Sequence, residues 1–146
     1  MSPTVSIISL AYNHEKYIEQ ALDGFLSQIT NFDIEIIIHD DASTDNTRKI
    51  IEKYQKSHPD IIKPVFQTEN QYSKHDWIFI NKLFESAKGK YIAICETDDY
   101  WTDVNKLQKQ VDLMESRQEL ALCFHPVKVV HETNEKDSYV APIIDN

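Results

Sequence analysis

The sequence predicts an α/β protein whose sheet is mostly parallel and has helices on both faces. Segments with the composition of strands alternate with segments of helical periodicity, an order typical of parallel sheets. The strand segments are nearly continuous apolar runs, as expected where both faces of a sheet are covered. The chain has 146 residues, enough for one domain with its own core.

Five segments rich in β-branched and other apolar residues are predicted to be strands. They are residues 4–12, 34–39, 61–67, 91–95 and 120–125. The third segment contains Pro64, which has no backbone N–H to donate, so we expect that strand at an edge of the sheet.

Four segments carry apolar residues at helical spacing and are predicted to be helices with one face on the core. They are residues 15–29, 44–57, 76–89 and 103–117, and Gly89 is expected to end the third. The predicted inward faces are Ile18, Leu22, Phe25, Leu26 and Ile29; Thr47, Ile50, Ile51 and Tyr54; Ile80, Leu83, Phe84 and Ala87; and Val104, Leu107, Val111 and Met114.

Composition and charge exclude several classes of protein. Hydrophobic residues make up 41% of the chain and charged residues 27%, which is ordinary for a globular domain. The net charge of −9 argues against nucleic acid as a partner, because phosphate backbones attract basic surfaces. Cys95 and Cys123 lie in apolar runs, which predicts two reduced, buried thiols rather than a disulfide framework or a zinc site.

The sequence shows no pattern of a signal peptide and no apolar run near the ~20 residues that span a bilayer. A cytoplasmic location is therefore expected, and membrane association would come from regions absent from this sequence. Residues 131–146 are polar without clear periodicity, so we expect a tail or the start of a truncated further region.

Polar side chains follow the carboxyl ends of the first four predicted strands, the edge at which open α/β sheets bind ligands. The four segments are "AYNHE" (11–15), "DDASTDNT" (40–47), "TENQYSK" (68–74) and "ETDDYW" (96–101). The residues expected to converge are Asn13, Asp40, Asp41, Asp45, Asn70, Lys74, Glu96, Asp98 and Asp99.

A phosphate ligand at this edge would need a divalent cation. The two glycines, Gly24 and Gly89, lie in no phosphate-binding loop, and the chain has no P-loop or GxGxxG motif. Carboxylate oxygens suit Mg²⁺ or Mn²⁺, which bridge to diphosphate oxygens. A metal that neutralises Asp98 and Asp99 would explain why these acids are adjacent.

The segments "VSIISLAYNHEKYIEQALDGFLSQ", "IEIIIHDDASTDNT" and "KGKYIAICETDDYWTDVNKLQKQVDLME" resemble the family 2 glycosyltransferases, which have the Rossmann-like GT-A fold. Paired acids alone are common in proteins. Four motifs in this order and spacing, each at the end of a predicted strand, are a specific signal for this family. The resemblance implies a nucleotide-sugar-binding domain over residues 4–130. It also implies an inverting transfer of a sugar from a nucleotide-diphosphate sugar, a UDP-sugar above all, to an acceptor glycan or glycolipid, in surface polysaccharide or glycoconjugate synthesis.

Site roles follow from the resemblance position by position. Tyr12 would lie against the nucleotide base, with Ala11 also in the nucleotide-sugar site, and Asp41 would read the base edge. Asp98 would contact the ribose or the metal, and Asp99 would be the main ligand of Mn²⁺ or Mg²⁺.

Three departures from the family pattern stand out. Leu10 occupies a place that usually holds proline, and Thr97 fills the small-residue place of the acidic motif. The carboxylate that serves such enzymes as catalytic base has no counterpart here, so we expect it beyond Asn146.

Simpler interpretations remain open for each motif. Asp98 and Asp99 could form a solvated turn before a helix that Asp103 caps, and Ser43 and Thr44 could cap the helix after Asp41. Asp45 is interpreted as a first-turn acid that favours the helix dipole. The remaining assignments are structural or solvated: Tyr100 and Trp101 at the core edge, Lys74 in a loop, and His14, His39, His75, His125 and His131 as structural or surface residues.

Two other functions stay as alternatives. The chain could be a non-catalytic nucleotide-sugar-binding fragment, since the base is missing. A receiver-type phospho-acceptor module also uses acids at sheet ends with Mg²⁺, but its paired acids follow the first strand, whereas here they follow the second and fourth.

Overall fold

A four-stranded parallel sheet forms the centre of the fold. The computed structural model describes residues 2–74, 78–130 and 139–140. The strands are β1 (Val5–Ala11), β2 (Ile34–Asp40), β3 (Ile62–Phe66) and β4 (Tyr91–Ile94). Their order across the sheet is β3-β2-β1-β4. The predicted parallel sheet is confirmed, and so is the edge position of the strand that carries Pro64.

The strand register brings the carboxyl ends of the strands together. Ala11 at the end of β1 is paired with Asp40 at the end of β2, and Asp40 is paired with Phe66 at the end of β3. On the other side of β1, Ile8 is paired with Ile94, the last residue of β4. The polar segments that follow the strands therefore start from one edge of the sheet.

The helices are α1 (Ile18–Leu26), α2 (Thr47–Ser57), α3 (Ile78–Ser86) and α4 (Lys106–Ser116). Each is shorter than its predicted segment, because polar turns replace the first or last turn. Residues 76 and 77 of the third predicted helix lie outside the described residues. Ile29 and Val104, predicted on inward faces, lie outside the helices and are exposed.

The core has two layers, one on each face of the sheet. On one face α1, α2 and α4 pack on the strands through Ile18, Leu22, Phe25, Ile51, Leu107 and Val111, all buried. On the other face α3 packs through Phe79 and Leu83 against Ile8 and Ile37. The prediction of helices on both faces is thus confirmed, with α3 turned so that Phe79 is buried and Phe84, predicted inward, is exposed.

Gly89 has a different role from the predicted helix stop. It lies three residues after α3 ends, and its φ is not positive. A Cβ at this position would lie 2.5 Å from the backbone N of Ser6 and 2.8 Å from the carbonyl carbon of Val5. Glycine is needed because the chain passes directly against β1.

The chain divides into two compact parts, residues 1–111 and residues 112–146. In the second part, β5 (Lys128–Val129) and β6 (Tyr139–Val140) form a two-stranded antiparallel sheet. The predicted strand at 120–125 is wrong: these residues pair with no described strand, and Leu122 and Phe124 are 74% and 64% exposed. Cys123 is only partly buried, whereas Cys95 is buried as predicted.

Within the described residues, no helix has the length and apolar character needed to cross a membrane.

Candidate functional site

A cavity of about 700 Å³ lies at the carboxyl ends of β1 and β2. Its walls come from the ends of these strands, from the segment after β3, from α3 and from the segment after β4. The lining residues are Leu10, Ala11, Tyr12, His14, His39, Asp41, Asn70, Tyr72, Ser73, Phe79, Ile80 and Glu96. Ala11, Tyr12 and Asp41, three residues of the predicted site, therefore line one cavity, and its described walls contain no lysine or arginine.

Another depression, of about 640 Å³, lies near the amino ends of the strands and includes Pro3, Ile34 and Lys88. Open α/β sheets bind ligands at the carboxyl ends of their strands, so we assign the candidate site to the first cavity.

Asp41 is buried and organises the segment after β3. Its Oδ1 accepts a hydrogen bond from the backbone N–H of Gln71 at 2.7 Å, and its Oδ2 accepts one from Tyr72 at 3.0 Å. The side-chain amide of Asn70 donates to the carbonyl oxygen of Asp41 at 3.3 Å. These bonds fix the cavity wall that Asn70, Tyr72 and Ser73 form. A carboxylate accepts about four hydrogen bonds, so Asp41 retains capacity for a ligand N–H.

The loops after β1 and β2 are joined by reciprocal hydrogen bonds. The Asn13 N–H donates to Ser43 Oγ at 2.9 Å, and Asn13 Oδ1 accepts from the Thr44 N–H at 2.8 Å. Glu15 Oε2 accepts from the Asn46 N–H at 2.9 Å, and the Glu15 N–H donates to Asp45 Oδ2 at 3.1 Å. The sequence predicts Asn13 at this edge of the sheet but does not predict these hydrogen bonds, since they depend on the distance between two loops.

Asp45, rather than Ser43 or Thr44, makes a side-chain hydrogen bond to the start of α2, whose N-cap residue is Asn46. Asp45 Oδ1 accepts the N–H of Thr47, the first residue of α2, at 2.9 Å. Partial burial acts to raise the pKa of Asp45, but hydrogen bonds from Thr47 and Glu15 outweigh it and lower the pKa. The predicted capping by Ser43 and Thr44 is wrong because the hydroxyl of Ser43 and the N–H of Thr44 bond to Asn13.

Tyr12 and Ala11 differ in exposure. Ala11 is buried at the end of β1, whereas Tyr12 is 45% exposed, so its ring surface is accessible from the cavity. An exposed ring next to a cavity can stack on a nucleotide base.

Asp40 does not face the cavity. Side chains alternate along a strand, so Asp40 shares the face of Ile36 and Ile38, opposite to that of His39. It is 1% exposed, and its carboxylate oxygens have no hydrogen-bond partner among the described residues. Sequence spacing placed Asp40 at the correct edge of the sheet but could not indicate its face.

Asp98 and Asp99 lie in an exposed turn after β4, where the Asp99 N–H donates to the carbonyl oxygen of Glu96 at 3.2 Å. Neither lines the cavity, although Glu96 does. Burial, followed by the negative charge of Asp99, raises the pKa of the neighbouring Cys95 thiol to about 11. Asp103 accepts the Asn105 N–H at 2.9 Å and so organises the segment before α4. Asp98 and Asp99 are therefore not needed for that role.

The carboxylates of Asp98 and Asp99 are the residues that could hold a divalent metal, provided that a ligand supplies further oxygens. No three His, Cys, Asp or Glu side chains converge on one point in the described part of the chain. Mg²⁺, however, is commonly held by one or two carboxylates together with substrate phosphates. Asp98 and Asp99, two exposed carboxylates adjacent in the chain, match that pattern. The described residues do not form a metal site from protein ligands alone.

Two histidines that were interpreted as structural or surface residues line the cavity. The ring of His39 is stacked on Phe79, with ring centroids 4.5 Å apart, and its Nε2 accepts a hydrogen bond from the Gln67 amide at 3.0 Å. Burial lowers the pKa of His39, although Asp41 and Asp40 oppose the shift. His14 Nδ1 lies 2.7 Å from Thr97 Oγ1.

The fold and the cavity define an α/β protein with a candidate ligand site at the carboxyl ends of its strands. The Glycosyl transferase family 2 model matches residues 6–141, and the chain belongs to this family. A curated relative is the UDP-Glc:alpha-D-GlcNAc-diphosphoundecaprenol beta-1,3-glucosyltransferase WfaP of Escherichia coli. It is 42% identical over 112 residues, which cover 77% of this chain and 41% of that protein.

Two solved structures show the same fold, that of the GT-A glycosyltransferases. Staphylococcus aureus TarS 1–349 in complex with UDP has a TM-score of 0.66 and 27% identity, over 79% of this chain and 33% of that one. The mannosyltransferase PcManGT of Pyrobaculum calidifontis, in complex with GDP-Man and Mn²⁺, has a TM-score of 0.65 and 27% identity, over 78% and 33%. The chain spans about two-fifths of the length of the curated relatives that it matches.

Proposed function

We propose that this chain binds a nucleotide-diphosphate sugar, preferably a UDP-sugar, and serves the metal-dependent transfer of the sugar to a hydroxyl of an acceptor glycan or glycolipid. The transfer inverts the anomeric centre and belongs to surface polysaccharide or glycoconjugate synthesis. The observation that carries the proposal is that Tyr12 and Asp41 line one cavity at the carboxyl ends of the strands. The complexes of the two structural neighbours with UDP and with GDP-Man support a nucleotide ligand.

Each residue has a physical role in this proposal. The Tyr12 ring stacks on the base, and Ala11 adds a small, close-packed surface beside it. Asp41 accepts a hydrogen bond from the base edge with the capacity that Gln71 and Tyr72 leave free. The carboxylates of Asp98 and Asp99 hold Mn²⁺ or Mg²⁺, which offsets negative charge on the departing nucleoside diphosphate.

The charge of the cavity supports the need for a metal. The described lining residues include Asp41 and Glu96 but no lysine or arginine. A diphosphate next to these carboxylates would be repelled unless a cation lay between them. Asp98 and Asp99 directly follow Glu96 and Thr97 in the chain, so they bring metal-binding oxygens to this side of the site.

We place the catalytic base, which takes the proton of the acceptor hydroxyl, beyond Asn146. The chain alone would then bind the donor without completing the transfer, and this is the second candidate function. The short span relative to curated relatives favours it for the isolated chain. We also propose a cytoplasmic location, with membrane association through regions beyond this chain.

The test is calorimetric titration of the chain with UDP and GDP, and then with UDP- and GDP-sugars, with and without Mn²⁺. The variants are Asp99→Ala and Asp41→Ala, and Asp60→Ala serves as the matched control because Asp60 is exposed and lies at the far edge of the sheet. We expect binding that requires metal, is lost in Asp99→Ala, is weakened in Asp41→Ala and is unchanged in the control. Absence of binding to either nucleotide by the folded chain would refute the donor-site proposal.

A further inference from the structure

His14 is fixed to the end of the sheet through Thr97. His14 Nδ1 lies 2.7 Å from Thr97 Oγ1, and Thr97 Oγ1 lies 3.0 Å from the carbonyl oxygen of Leu10. Thr97 is fully buried, whereas His14 is partly exposed and lines the cavity. The three groups form a chain that runs from the backbone of β1 to the cavity wall.

The direction of these hydrogen bonds follows from their chemistry. A carbonyl oxygen only accepts, so in the hydrogen bond between Thr97 Oγ1 and the Leu10 oxygen the threonine hydroxyl is the donor. The hydroxyl has one proton, so towards His14 it acts as an acceptor. His14 must then have its proton on Nδ1, and Thr97 selects this tautomer.

The tautomer leaves a lone pair on His14 Nε2. None of the described residues makes a hydrogen bond to this nitrogen, and the ring lies in the same wall as Tyr12 and Glu96. A neutral imidazole with Nδ1–H accepts one hydrogen bond at Nε2. Phosphate oxygens are themselves acceptors, and the N–H of the base edge is assigned to Asp41 in the proposed site, so the partner that fits this lone pair is an O–H group.

We propose that His14 Nε2 accepts a hydrogen bond from a hydroxyl of the bound nucleotide sugar, and that Thr97 is the positioning residue that presents this lone pair. The inference rests on the proposed donor site and adds a residue that recognises the donor. It also gives a function to the hydroxyl of Thr97, a polar residue that is fully buried. The hydroxyl belongs either to the ribose or to the transferred sugar, and the ligands chosen below separate the two.

The tautomer is tested without any ligand, by ¹⁵N NMR of the histidine rings in the whole chain. In the wild type we expect His14 with a protonated Nδ1 and an unprotonated Nε2. Thr97→Val removes the hydroxyl at nearly constant size, so the ring should shift towards the Nε2–H form, and Thr97→Ser should restore the wild-type signals. A wild-type ring with its proton on Nε2, or no change in Thr97→Val, would overturn the role of Thr97.

Recognition is tested with UDP, 2′-deoxy-UDP and UDP-glucose in Mg²⁺, or with the guanine counterparts if GDP is the nucleotide that binds. His14→Phe should weaken binding about 3- to 10-fold, as expected for one neutral hydrogen bond. If the partner is the ribose 2′-hydroxyl, His14→Phe weakens UDP but leaves the affinity for 2′-deoxy-UDP unchanged. If the partner is on the sugar, His14→Phe weakens UDP-glucose and leaves UDP unchanged.

His58→Gln is the matched control, because this histidine lies at the end of α2 and outside the cavity. Binding of all three ligands to His14→Phe with wild-type affinity would refute the inference while the donor site stands. A wild-type chain that binds neither nucleotide would refute the proposed function itself.

Discussion

The carboxylate of Asp41 accepts the backbone N–H of Tyr72 at 3.0 Å, and this contact connects the end of β2 to the segment after β3. With the bond from Gln71, it gives Asp41 a structural role beside the predicted contact with the base. The two roles are compatible because each carboxylate oxygen has a second lone pair. Asp41 therefore couples the shape of the cavity wall to the group that would read the ligand.

The first prediction concerns this coupling. Asp41→Asn keeps one acceptor oxygen but turns an N–H₂ group towards a backbone N–H, so it should lose one of the two loop bonds. Bonds to charged groups contribute about 1.5–3 kcal/mol, so exchange of the Gln71 and Tyr72 amide protons should accelerate about 10-fold or more. Amide hydrogen exchange measured by NMR would show this, with Asp60→Asn as the control. Unchanged protection of both amides would contradict the structural role.

The second prediction concerns the connection between the loops after β1 and β2. Asn13 has a φ of 56°, a conformation that asparagine tolerates better than most residues, and its Oδ1 accepts the Thr44 N–H. Asn13→Ala removes that acceptor and keeps the strained backbone, so the free energy of unfolding should fall by about 1–2 kcal/mol. Urea unfolding would measure the change.

Two further variants make this test specific. Asn13→Asp keeps the acceptor and tolerates the same backbone conformation, so it should retain most of the stability. Asn31→Ala is the control, because the hydrogen bond that the structure shows for Asn31 uses its backbone N–H. Equal losses in Asn13→Asp and Asn13→Ala would show that the Thr44 bond contributes little.

The alternation of strands and helices was predictable because each strand of the parallel sheet is rich in apolar residues and each helix has an apolar stripe. The convergence of Tyr12 and Asp41 was also predictable, since both follow directly from strand ends that a parallel register places side by side. The face occupied by Asp40 and the partner of Asp45 were not predictable from the motifs. Both depend on side-chain direction and on the distance between separate loops.

The wrong strand at 120–125 has a related cause. An apolar run predicts burial only if another part of the chain covers it, and Leu122 and Phe124 are exposed in this structure. His14 and Thr97 were missed for a different reason: their hydrogen bond joins residues 83 positions apart. The sequence signal that could have found it is the polar Thr97 at a place usually filled by a smaller side chain.

The third prediction concerns the close approach at Gly89. Its N–H donates to Ser6 Oγ at 2.8 Å, and Ser6 Oγ donates to Glu35 Oε1 at 2.6 Å inside the fold. Gly89→Ala would place a methyl group against the backbone of β1, and overpacking of this kind costs about 1–3 kcal/mol. Thermal unfolding should show the loss. Lys88→Ala is the neighbouring control, because its side chain is exposed and its backbone N–H, which bonds to Glu35, is retained.

The fourth prediction concerns the dependence of stability on pH through His39. The Gln67 amide can only donate to His39 Nε2, so the buried ring is neutral in the folded chain. Burial lowers the pKa of His39 below its ordinary value of 6.5, and the carboxylates of Asp41 and Asp40 reduce the shift without reversing it. In the unfolded chain the ring takes up a proton near pH 6.5, so the unfolded state binds more protons below that pH.

The stabilising contribution of a neutral His39 is therefore complete above about pH 6.5 and is lost as the pH falls towards the lowered pKa. The free energy of unfolding of the wild type should fall by up to about 1.4 kcal/mol per pH unit in that window, relative to His39→Gln, which has no ring to protonate. Urea unfolding between pH 8 and 5 would measure both curves. His125→Gln, which removes an exposed ring, should follow the wild type. If the difference between wild type and His39→Gln stays constant across this range, His39 does not titrate differently in the folded and unfolded chains.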